Sequence, residues 1–337
     1  MARASTSPIF LVSSPRSGST LLRLIFDAHP NIAIPPPGYI FHFLYPYLYS
    51  YGDLQSDENW RELVEDFLEI PTLKQWPLDY DVADVMDNAG ERSFRGIYEY
   101  IHVQYMQAMG KVRWGNKSPR NGFWLEEIKA LFPDVKIVHL VRDGRDVAID
   151  LANAEFQPHS VYCGALRWDE CIRVVEDSAQ RLDKGSLLEV RYEALCESPE
   201  TTLREICAFI GEDFAPEMLR HHETDSAQSW AKNPAHAKTM RPISMDYVGM
   251  YKTRLPAGDV SALEAVIGET LTRKGYALET RPNPISVQEA AQLIEGDMVS
   301  QLGKAHYKYW HRDRRIKRRE RGVWSDSERK SLMWSLD

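Results

Sequence analysis

The sequence predicts an α/β protein, a three-layer sandwich in which helices cover both faces of a central parallel sheet. Two short apolar runs, Ile9–Ser13 and residues 135–141, have the length of buried strands, and each leads through a turn into a segment with helical spacing. A strand, a turn and a helix in this order form the repeating unit of parallel sheets. The chain has 337 residues, 43% of them hydrophobic, which suffices for one large domain or two smaller ones.

Further segments fit the same pattern. The first helix is predicted at residues 20–29, where apolar side chains recur at helical spacing. The second strand turns into a helix that we expect from about Asp146, and a third strand is predicted at residues 187–190. Other helices are predicted at residues 60–69, 95–109, 122–132, 164–182, 199–210 and 260–273.

Composition narrows the class of protein. The net charge is −8, so charge does not favour nucleic acid as a partner. The four cysteines form no CxxC pair and no zinc-type cluster with histidine, and so few in a long chain favour free thiols in a reducing compartment. The N-terminal residues resemble a strand rather than a signal peptide, and no apolar stretch approaches the roughly 18 residues of a membrane span. We therefore expect a cytoplasmic protein.

Residues 13–20, with the sequence SSPRSGST, predict an anion-binding loop between the first strand and the first helix. A helix N-terminus directs backbone N–H groups and a positive dipole end towards such a ligand. Gly18 lets the backbone approach a phosphate closely, and Arg16 adds a fixed charge with a fork of donors. Hydroxyl donors are added by Ser17, Ser19 and Thr20. The loop is not a Walker A motif, which requires GxxxxGK followed by Ser or Thr; the alternative is an ordinary strand–helix turn.

Three more segments accompany this loop. GNKSP occupies residues 115–119, KIVHLVRDGRDVAID occupies residues 136–150, and VRYEAL at residues 190–195 precedes SPETTL at residues 198–203. In this order they resemble, together with PRSGST, the motifs of the sulfotransferases that use 3′-phosphoadenosine 5′-phosphosulfate (PAPS). The resemblance covers residues 8 to about 278 and is closest to the bacterial and tyrosylprotein-type branch, which carries Arg in the loop. It implies a P-loop-like sulfotransferase fold with a phosphosulfate-binding loop.

By this resemblance, the loop holds the 5′ end of PAPS through the main chain around Arg16, Ser17, Gly18, Ser19 and Thr20. Arg16 would lie against the bridging oxygen, on which charge grows as the sulfuryl group leaves. Lys117 matches the lysine that contacts the transferred group, and Arg142 matches the arginine on the 3′-phosphate. The alternatives are a surface position for Lys117 and an ion pair of Arg142 with Asp143 or Asp146.

Two weaker matches complete the nucleotide site that the resemblance implies. Tyr192 matches a residue near the adenine, with a core tyrosine as the alternative. Lys252 lies in a segment similar to the one from which a basic residue closes over the 3′-phosphate, although Tyr251 stands where tryptophan is usual. No metal is expected, because Arg16 and Lys117 supply the positive charge.

Two positions depart from the family's pattern. Asp150 stands eight residues after Arg142, where the family usually has a serine on the 3′-phosphate. A carboxylate there repels a phosphate unless a cation intervenes or the side chain turns away. The glutamate of tyrosylprotein-type members has no counterpart at residues 34–38, which makes His42 the nearest candidate base, with a packing role as its alternative. Weaker candidates are His102 and Glu99.

The sequence does not name the acceptor. An aromatic run at residues 39–51 fits an apolar or aromatic acceptor or else packs the core, and small-molecule, lipid and glycan acceptors all stay open. A basic segment from Lys304 to Arg321 fits an anionic membrane surface, a second subunit or plain solvent. We expect a sulfotransferase domain at residues 1–280 and a basic, amphipathic helical extension at residues 281–337.

The predicted function is therefore transfer of a sulfuryl group from PAPS to a hydroxyl or amine, with adenosine 3′,5′-bisphosphate as the product. A nucleoside-triphosphate kinase is one alternative, but the loop lacks the Walker A lysine and the second strand ends at Arg142 rather than at an aspartate. A non-catalytic nucleotide-binding protein on the same scaffold is another, and the missing glutamate and Asp150 are what it predicts.

Overall fold

The computed structural model of the protein describes residues 7–154, 160–230 and 241–302. Within these residues the chain forms two compact units. The larger unit contains the described residues up to 39 and those from 102 to 300, and the smaller unit is built on residues 40–101. The basic segment from Lys304 to Arg321 lies outside the described residues, so the predicted C-terminal extension stays a prediction.

Short strands alternate with helices along the chain. The strands are β1 (Ile9–Ser13), β2 (Ile32–Ala33), β3 (Arg113–Lys117), β4 (Lys136–Val141) and β5 (Leu187–Arg191). The α-helices are α1 (Ser19–Asp27), α2 (Ile40–Leu44), α3 (Asp57–Leu68), α4 (Val82–Asn88), α5 (Phe94–Ala108), α6 (Leu125–Leu131), α7 (Gly144–Ala152), α8 (Val161–Ala179), α9 (Tyr192–Glu197), α10 (Pro199–Ile210), α11 (Asp225–Trp230), α12 (Tyr251–Arg254), α13 (Ala257–Arg273) and α14 (Val287–Leu302). Short 3-10 helices occupy Tyr45–Tyr51, Leu73–Gln75, Pro119–Trp124, Pro216–Glu223 and Met245–Tyr247.

One predicted helix, at residues 122–132, begins differently from the expectation. The 3-10 helix Pro119–Trp124 precedes it, and the chain becomes α-helical only from Leu125. Proline and glycine, here Pro119 and Gly122, have low α-helical preference, which accounts for the tighter opening turns. None of the α-helices in the described segments is both long enough and apolar enough to cross a membrane.

Among the described residues, five strands form one parallel sheet in the order β2-β3-β1-β4-β5. β1 lies at the centre, with Leu11 opposite Lys117 of β3 and Ser13 opposite Leu140 of β4. The chain runs from β1 to one edge of the sheet and later crosses to the other side of β1. Open α/β sheets bind their ligands at such a switch point, at the carboxyl ends of the strands.

Side chains alternate between the two faces along each strand, so that apolar side chains point to both faces. Other parts of the chain pack on each face. On one face, Leu11 of β1 shares an apolar cluster with Leu22 of α1 and Ile206 of α10. On the other face, the Phe10 ring lies 6.1 Å from the Trp114 ring of β3, measured between centroids. The predicted three-layer α/β sandwich with a central parallel sheet is confirmed.

A second apolar cluster fixes the turn after β4. Val141 at the end of β4 is buried together with Trp168 of α8 and Ile267 of α13. The Trp168 indole N–H donates to the backbone carbonyl of Arg142 at 3.0 Å. Gly144 packs so closely against the Trp168 ring that a Cβ on Gly144 would lie 2.6 Å from this ring. The start of α7 and the position of Arg142 are therefore set by packing.

The hydrophobic pattern predicts neither β2 nor β3. All five residues of β3 are buried, yet its sequence, RWGNK, is largely polar. Its polar groups find partners inside the protein: Arg113 donates to the Ile210 carbonyl at 2.6 Å and to the Glu212 carboxylate at 3.0 Å. A buried strand whose polar groups are satisfied internally leaves no apolar signal in the sequence.

The smaller unit is built on an aromatic cluster. The Phe41 ring of α2 lies 5.1 Å from the Phe94 ring of α5, and the Tyr51 hydroxyl donates to the Asp66 carboxylate of α3 at 2.7 Å. Phe41 and Tyr51 therefore have the packing role that was one of the two expectations for the aromatic run. A role of the other rings as an acceptor wall stays a prediction.

Packing of α13 on the turn after β4 can be tested by truncation. Ile267→Ala should lower the free energy of unfolding by about 2–5 kcal/mol, because a fully buried side chain leaves a cavity. Ile294→Ala on α14 is the matched control, since Ile294 is 41% exposed, and it should change this free energy by about 0.5 kcal/mol or less. Urea unfolding followed by tryptophan fluorescence measures both, and equal effects would contradict the assigned packing.

Candidate functional site

The residues predicted to bind the nucleotide follow the carboxyl ends of neighbouring strands. The loop of residues 13–20 continues from β1, and Lys117 is the last residue of β3. Arg142 comes directly after β4, and Tyr192 comes directly after β5. Because the carboxyl ends of parallel strands meet at one edge of a sheet, the topology brings all of them to the same edge, around β1.

The loop has a conformation that suits an anion. Arg16 and Gly18 have φ angles of 69° and 92°, in the left-handed region, and such residues form concave nests of backbone N–H groups. The helix α1 begins at Ser19, and no side chain of the described residues caps its N-terminus, so its first amides can bind a ligand. A left-handed φ is costly for Arg16, and strain of this kind concentrates at functional sites.

Several buried polar atoms around the loop have no hydrogen-bond partner within the described residues, among them Ser17 Oγ, Arg16 Nε and Arg142 Nε. Buried polar groups are nearly always hydrogen-bonded, and an exception calls for an explanation such as a ligand. One hydroxyl and two guanidinium groups are donors that an anionic group such as a phosphosulfate would satisfy.

Lys117 is buried beside the loop, which excludes the alternative of a surface lysine. Its ammonium group donates to the Thr20 hydroxyl at 3.2 Å. Burial, together with the positive charges of Arg23 and Arg16, lowers the pKa of Lys117 to about 7. Within the part of the chain that the structure describes, no carboxylate is close enough to form an ion pair with it. A bound anion would therefore stabilise its protonated form.

Arg142 is buried against the loop and against α7. Its Nη1 donates to the Arg16 carbonyl at 3.0 Å and to the Asp150 carboxylate at 2.8 Å. Its Nη2 donates to the Tyr247 carbonyl at 2.7 Å. The guanidinium therefore lies beside the loop, and protein oxygens already accept from both of its terminal nitrogens. Its role on a 3′-phosphate stays a prediction.

The ion pair of Arg142 differs in part from both alternatives given by the sequence. Asp143 pairs with Arg145 at 2.7 Å instead, and Asp146 approaches Arg142 only to 3.9 Å. Asp150, one helical turn beyond Asp146, is the strongest partner at 2.8 Å because α7 places both carboxylates on the same face. Burial would lower the pKa of Arg142, but these two carboxylates raise it above its usual value.

Asp146 holds the segment that supplies the Tyr247 carbonyl. Its two carboxylate oxygens accept hydrogen bonds from the backbone N–H groups of Gly249 and Tyr251, at 2.7 and 2.8 Å. Burial raises the pKa of Asp146. The segment that leads into α12 is thereby tied to α7, which helps to hold the Tyr247 carbonyl beside Arg142.

Tyr192 packs its ring on the loop. A Cβ on Gly18 would lie 2.6 Å from two carbons of this ring, and the ring centre lies 5.1 Å from the guanidinium carbon of Arg142. Burial raises the pKa of the Tyr192 hydroxyl far above its usual value. The ring thus supports the loop and Arg142 directly, while its predicted position near an adenine stays a prediction.

Lys252 is less well placed for a phosphate than the loop residues. It lies on α12 with 56% of its side chain exposed, and its ammonium group pairs with the Glu279 carboxylate at 2.6 Å. Its closure over a 3′-phosphate stays a prediction, and it would require this ion pair to be shared or broken.

The candidate bases are distributed over the two units. His42 is half-buried on α2 of the smaller unit, and Glu99, also in the smaller unit, approaches Arg95 to 3.7 Å. His102 belongs to the larger unit, is fully buried, and has its Nε2 3.0 Å from the Asn116 amide nitrogen. Their roles as bases stay predictions.

Arg23 is an electrostatic residue that the sequence reasoning misses. It is buried on α1, its Nη1 donates to the Ile34 carbonyl at 3.0 Å, and its charge helps to lower the pKa of Lys117. The sequence feature that could have identified it is an arginine inside the apolar helical run LLRLIF. An arginine is almost never fully buried unless it has a partner.

Taken together, these residues can bind a strongly anionic group and stabilise further negative charge on it. Arg16 and Lys117 provide positive charge that no carboxylate of the described segments neutralises, and the loop adds N–H donors. Charges fixed in a partly desolvated site act more strongly than they do in water. No three His, Cys, Asp or Glu side chains of the described segments come together as a metal site would require.

Comparison with known proteins identifies related chains. The model of the "Sulfotransferase family" matches residues 8–216. Protein-tyrosine sulfotransferase A of Caenorhabditis elegans is 22% identical over 297 residues, which cover 86% of this chain and 72% of that protein. Protein-tyrosine sulfotransferase 2 of Gallus gallus is 23% identical over 307 residues, which cover 86% of this chain and 76% of that protein.

Solved structures show the same fold. The sulfotransferase domain from the Synechococcus PCC 7002 olefin synthase has a TM-score of 0.57 and 24% identity, and the match covers 81% of this chain and 95% of that one. The sulfotransferase domain from the curacin biosynthetic pathway also has a TM-score of 0.57, with 18% identity, covering 81% and 98% of the two chains.

Gly18 provides a test of the loop as the anion site. Gly18→Ala should weaken binding of adenosine 3′,5′-bisphosphate by about tenfold or more, because its Cβ collides with Tyr192 and its φ of 92° is strained. Gly211→Ala is the matched control: its φ is 78° but a Cβ there meets nothing within 4 Å. Calorimetric titration measures both, and equal losses would mean that strain alone, not the loop, is responsible.

Lys117 predicts a pH dependence of the same binding. With a pKa of about 7, it is charged below this pH and neutral above it, so its attraction for the bisphosphate should fade by up to about tenfold per pH unit above 7. Lys117→Met should bind more weakly and lack this contribution. Titrations of both proteins from pH 6 to about 9 give the slope of the binding affinity against pH for each protein. Ionisation of the ligand's phosphates affects both slopes equally, so a difference between them comes from Lys117. Identical slopes would refute the assignment.

Proposed function

This chain belongs to the sulfotransferase family and is an enzyme of sulfuryl transfer, and from this premise we propose that its donor is PAPS and its acceptor a hydroxyl group. The observation that carries the proposal is the unneutralised positive charge of half-buried Arg16 and buried Lys117 beside the loop of residues 13–20. This charge fits the phosphosulfate end of the donor, where the reaction takes place.

The proposed reaction is a single displacement at sulfur. The acceptor oxygen forms a bond to sulfur while the bond between sulfur and the bridging oxygen breaks, and adenosine 3′,5′-bisphosphate leaves. The acceptor proton passes to a base or to water. Arg16 stabilises the charge that grows on the bridging oxygen, which is why its effect falls on the transition state. Lys117, whose protonated form the bound anion stabilises, holds the sulfuryl oxygens in line.

The acceptor is proposed at the level of a hydroxyl group. Two related chains are named protein-tyrosine sulfotransferases, so the phenolic hydroxyl of a peptide tyrosine is the first acceptor to test. Lipid, glycan and small phenolic acceptors are the other classes, and an amine is an alternative to the hydroxyl group. His42 is the proposed base, since a neutral imidazole can accept a proton near pH 7.

Two further proposals concern the surroundings of the enzyme. The basic segment from Lys304 to Arg321 is proposed to contact an anionic membrane surface or a second copy of the chain, as its charge suggests. A cytoplasmic location is proposed from the cysteine content: the free thiols of the described residues are buried, and they belong to Cys163, Cys171, Cys196 and Cys207.

Label transfer from PAPS carrying radioactive sulfur tests the donor and the role of Arg16 together. Purified protein is incubated with a tyrosine-containing peptide, a simple phenol and a long-chain alcohol, and labelled product should form with at least one of them. Arg16→Ala should lower kcat by about a hundredfold or more, as loss of a preorganised transition-state charge does.

The matched control for this experiment is Arg204→Ala, which removes an exposed arginine paired with Glu200 on α10. It should leave the rate unchanged. Normal turnover by Arg16→Ala would contradict the mechanism, and binding of ATP with magnesium instead of adenosine 3′,5′-bisphosphate would support the kinase alternative.

A further inference from the structure

The cations assigned to the two ends of the donor differ in their surroundings. Arg142 and Lys252, assigned to the 3′-phosphate, each pair with a carboxylate: Asp150 at 2.8 Å and Glu279 at 2.6 Å. The cations of the phosphosulfate end have no such partner among the described residues. Positive charge is therefore available to a ligand at one end and is largely neutralised at the other.

Arg142 also has little hydrogen-bonding capacity left for a phosphate. Its two terminal nitrogens donate to Asp150, to the Arg16 carbonyl and to the Tyr247 carbonyl. Only its Nε–H lacks a partner among the described residues. The pair of N–H groups with which an arginine usually binds a phosphate is therefore not available without breaking an existing hydrogen bond. The carboxylate is itself mostly buried, with 14% of the Asp150 side chain exposed, so water screens it poorly.

A 3′-phosphate approaching Arg142 meets this carboxylate. It must either displace Asp150 from its ion pair with Arg142, which is unfavourable for a mostly buried carboxylate, or share Arg142 with it against like-charge repulsion. The Tyr247 carbonyl cannot readily withdraw either, because Asp146 binds the backbone of Gly249 and Tyr251. Both routes remove much of the free energy that the 3′-phosphate would otherwise contribute.

We propose that Asp150 sets the donor specificity of this enzyme: its carboxylate takes the place of the 3′-phosphate on Arg142, so that adenosine 5′-phosphosulfate serves as a donor about as well as PAPS. The proposal rests on the proposed function and concerns the same site. The chemistry at sulfur is unchanged: the acceptor oxygen–sulfur bond forms, the bond to the bridging oxygen breaks, and adenosine 5′-phosphate leaves in place of the bisphosphate.

Calorimetry with the two products, adenosine 5′-phosphate and adenosine 3′,5′-bisphosphate, tests the proposal on the full chain. The wild-type protein should bind the bisphosphate no more than about fivefold more tightly than the monophosphate. Asp150→Ser should increase this ratio by about tenfold or more, through tighter binding of the bisphosphate alone. Asp150→Glu, which keeps the carboxylate, should stay close to wild type, and Asp177→Ser on the exposed face of α8 is the neutral control.

The outcomes are distinguishable. A wild-type preference for the bisphosphate of about a hundredfold or more would overturn the proposal, as would an unchanged ratio in a folded Asp150→Ser. If Asp150→Ser does not fold, the wild-type ratio decides alone, because it needs no variant. Failure of both nucleotides to bind the wild-type protein would overturn the proposed function, and this inference with it.

Discussion

The unneutralised positive charge beside the β1–α1 loop is the feature on which the rest of the site depends. Arg16 and Lys117 are held where no carboxylate of the described residues offsets them, and burial of like charges is unfavourable without a bound anion. The pKa of Lys117 is lowered for this reason, because loss of its proton removes one of the unfavourable charges. A site that is unfavourable when empty gains the most from an anionic ligand, and this gain is what sulfuryl transfer from a phosphosulfate requires.

The apolar contacts of the parallel sheet offset the unfavourable free energy of holding these positive charges close together. Each site residue follows the end of a strand, and the buried strands carry the apolar contacts that fix their ends. The position of Arg142 follows from the Trp168 hydrogen bond and the close approach of Gly144. Stability is supplied by the two apolar clusters on the sheet faces, so the loop itself can carry a strained Arg16 backbone.

Charge balance then divides the proposed nucleotide site into two parts. The part near the loop has cations without carboxylates, whereas Arg142 and Lys252 are each paired with one. The catalytic requirement falls only on the first part, because negative charge develops on the bridging oxygen and not at the ribose. On the proposal made for Asp150, a change at this residue alters which donor binds while the chemistry at sulfur is preserved.

The sequence by itself determined the class of fold and predicted the loop of residues 13–20 with Arg16 as an anion site, because apolar periodicity and residue chemistry are local properties. Its resemblance to the sulfotransferases added Lys117 and Arg142 as predicted site residues. It did not reveal β3, whose polar residues are satisfied only by partners distant in the chain. Only the tertiary structure decided that Asp150 rather than Asp143 or Asp146 is the strongest partner of Arg142, and that Arg23 acts on Lys117. Pairing and burial depend on which elements meet in space, and one-dimensional spacing does not contain that information.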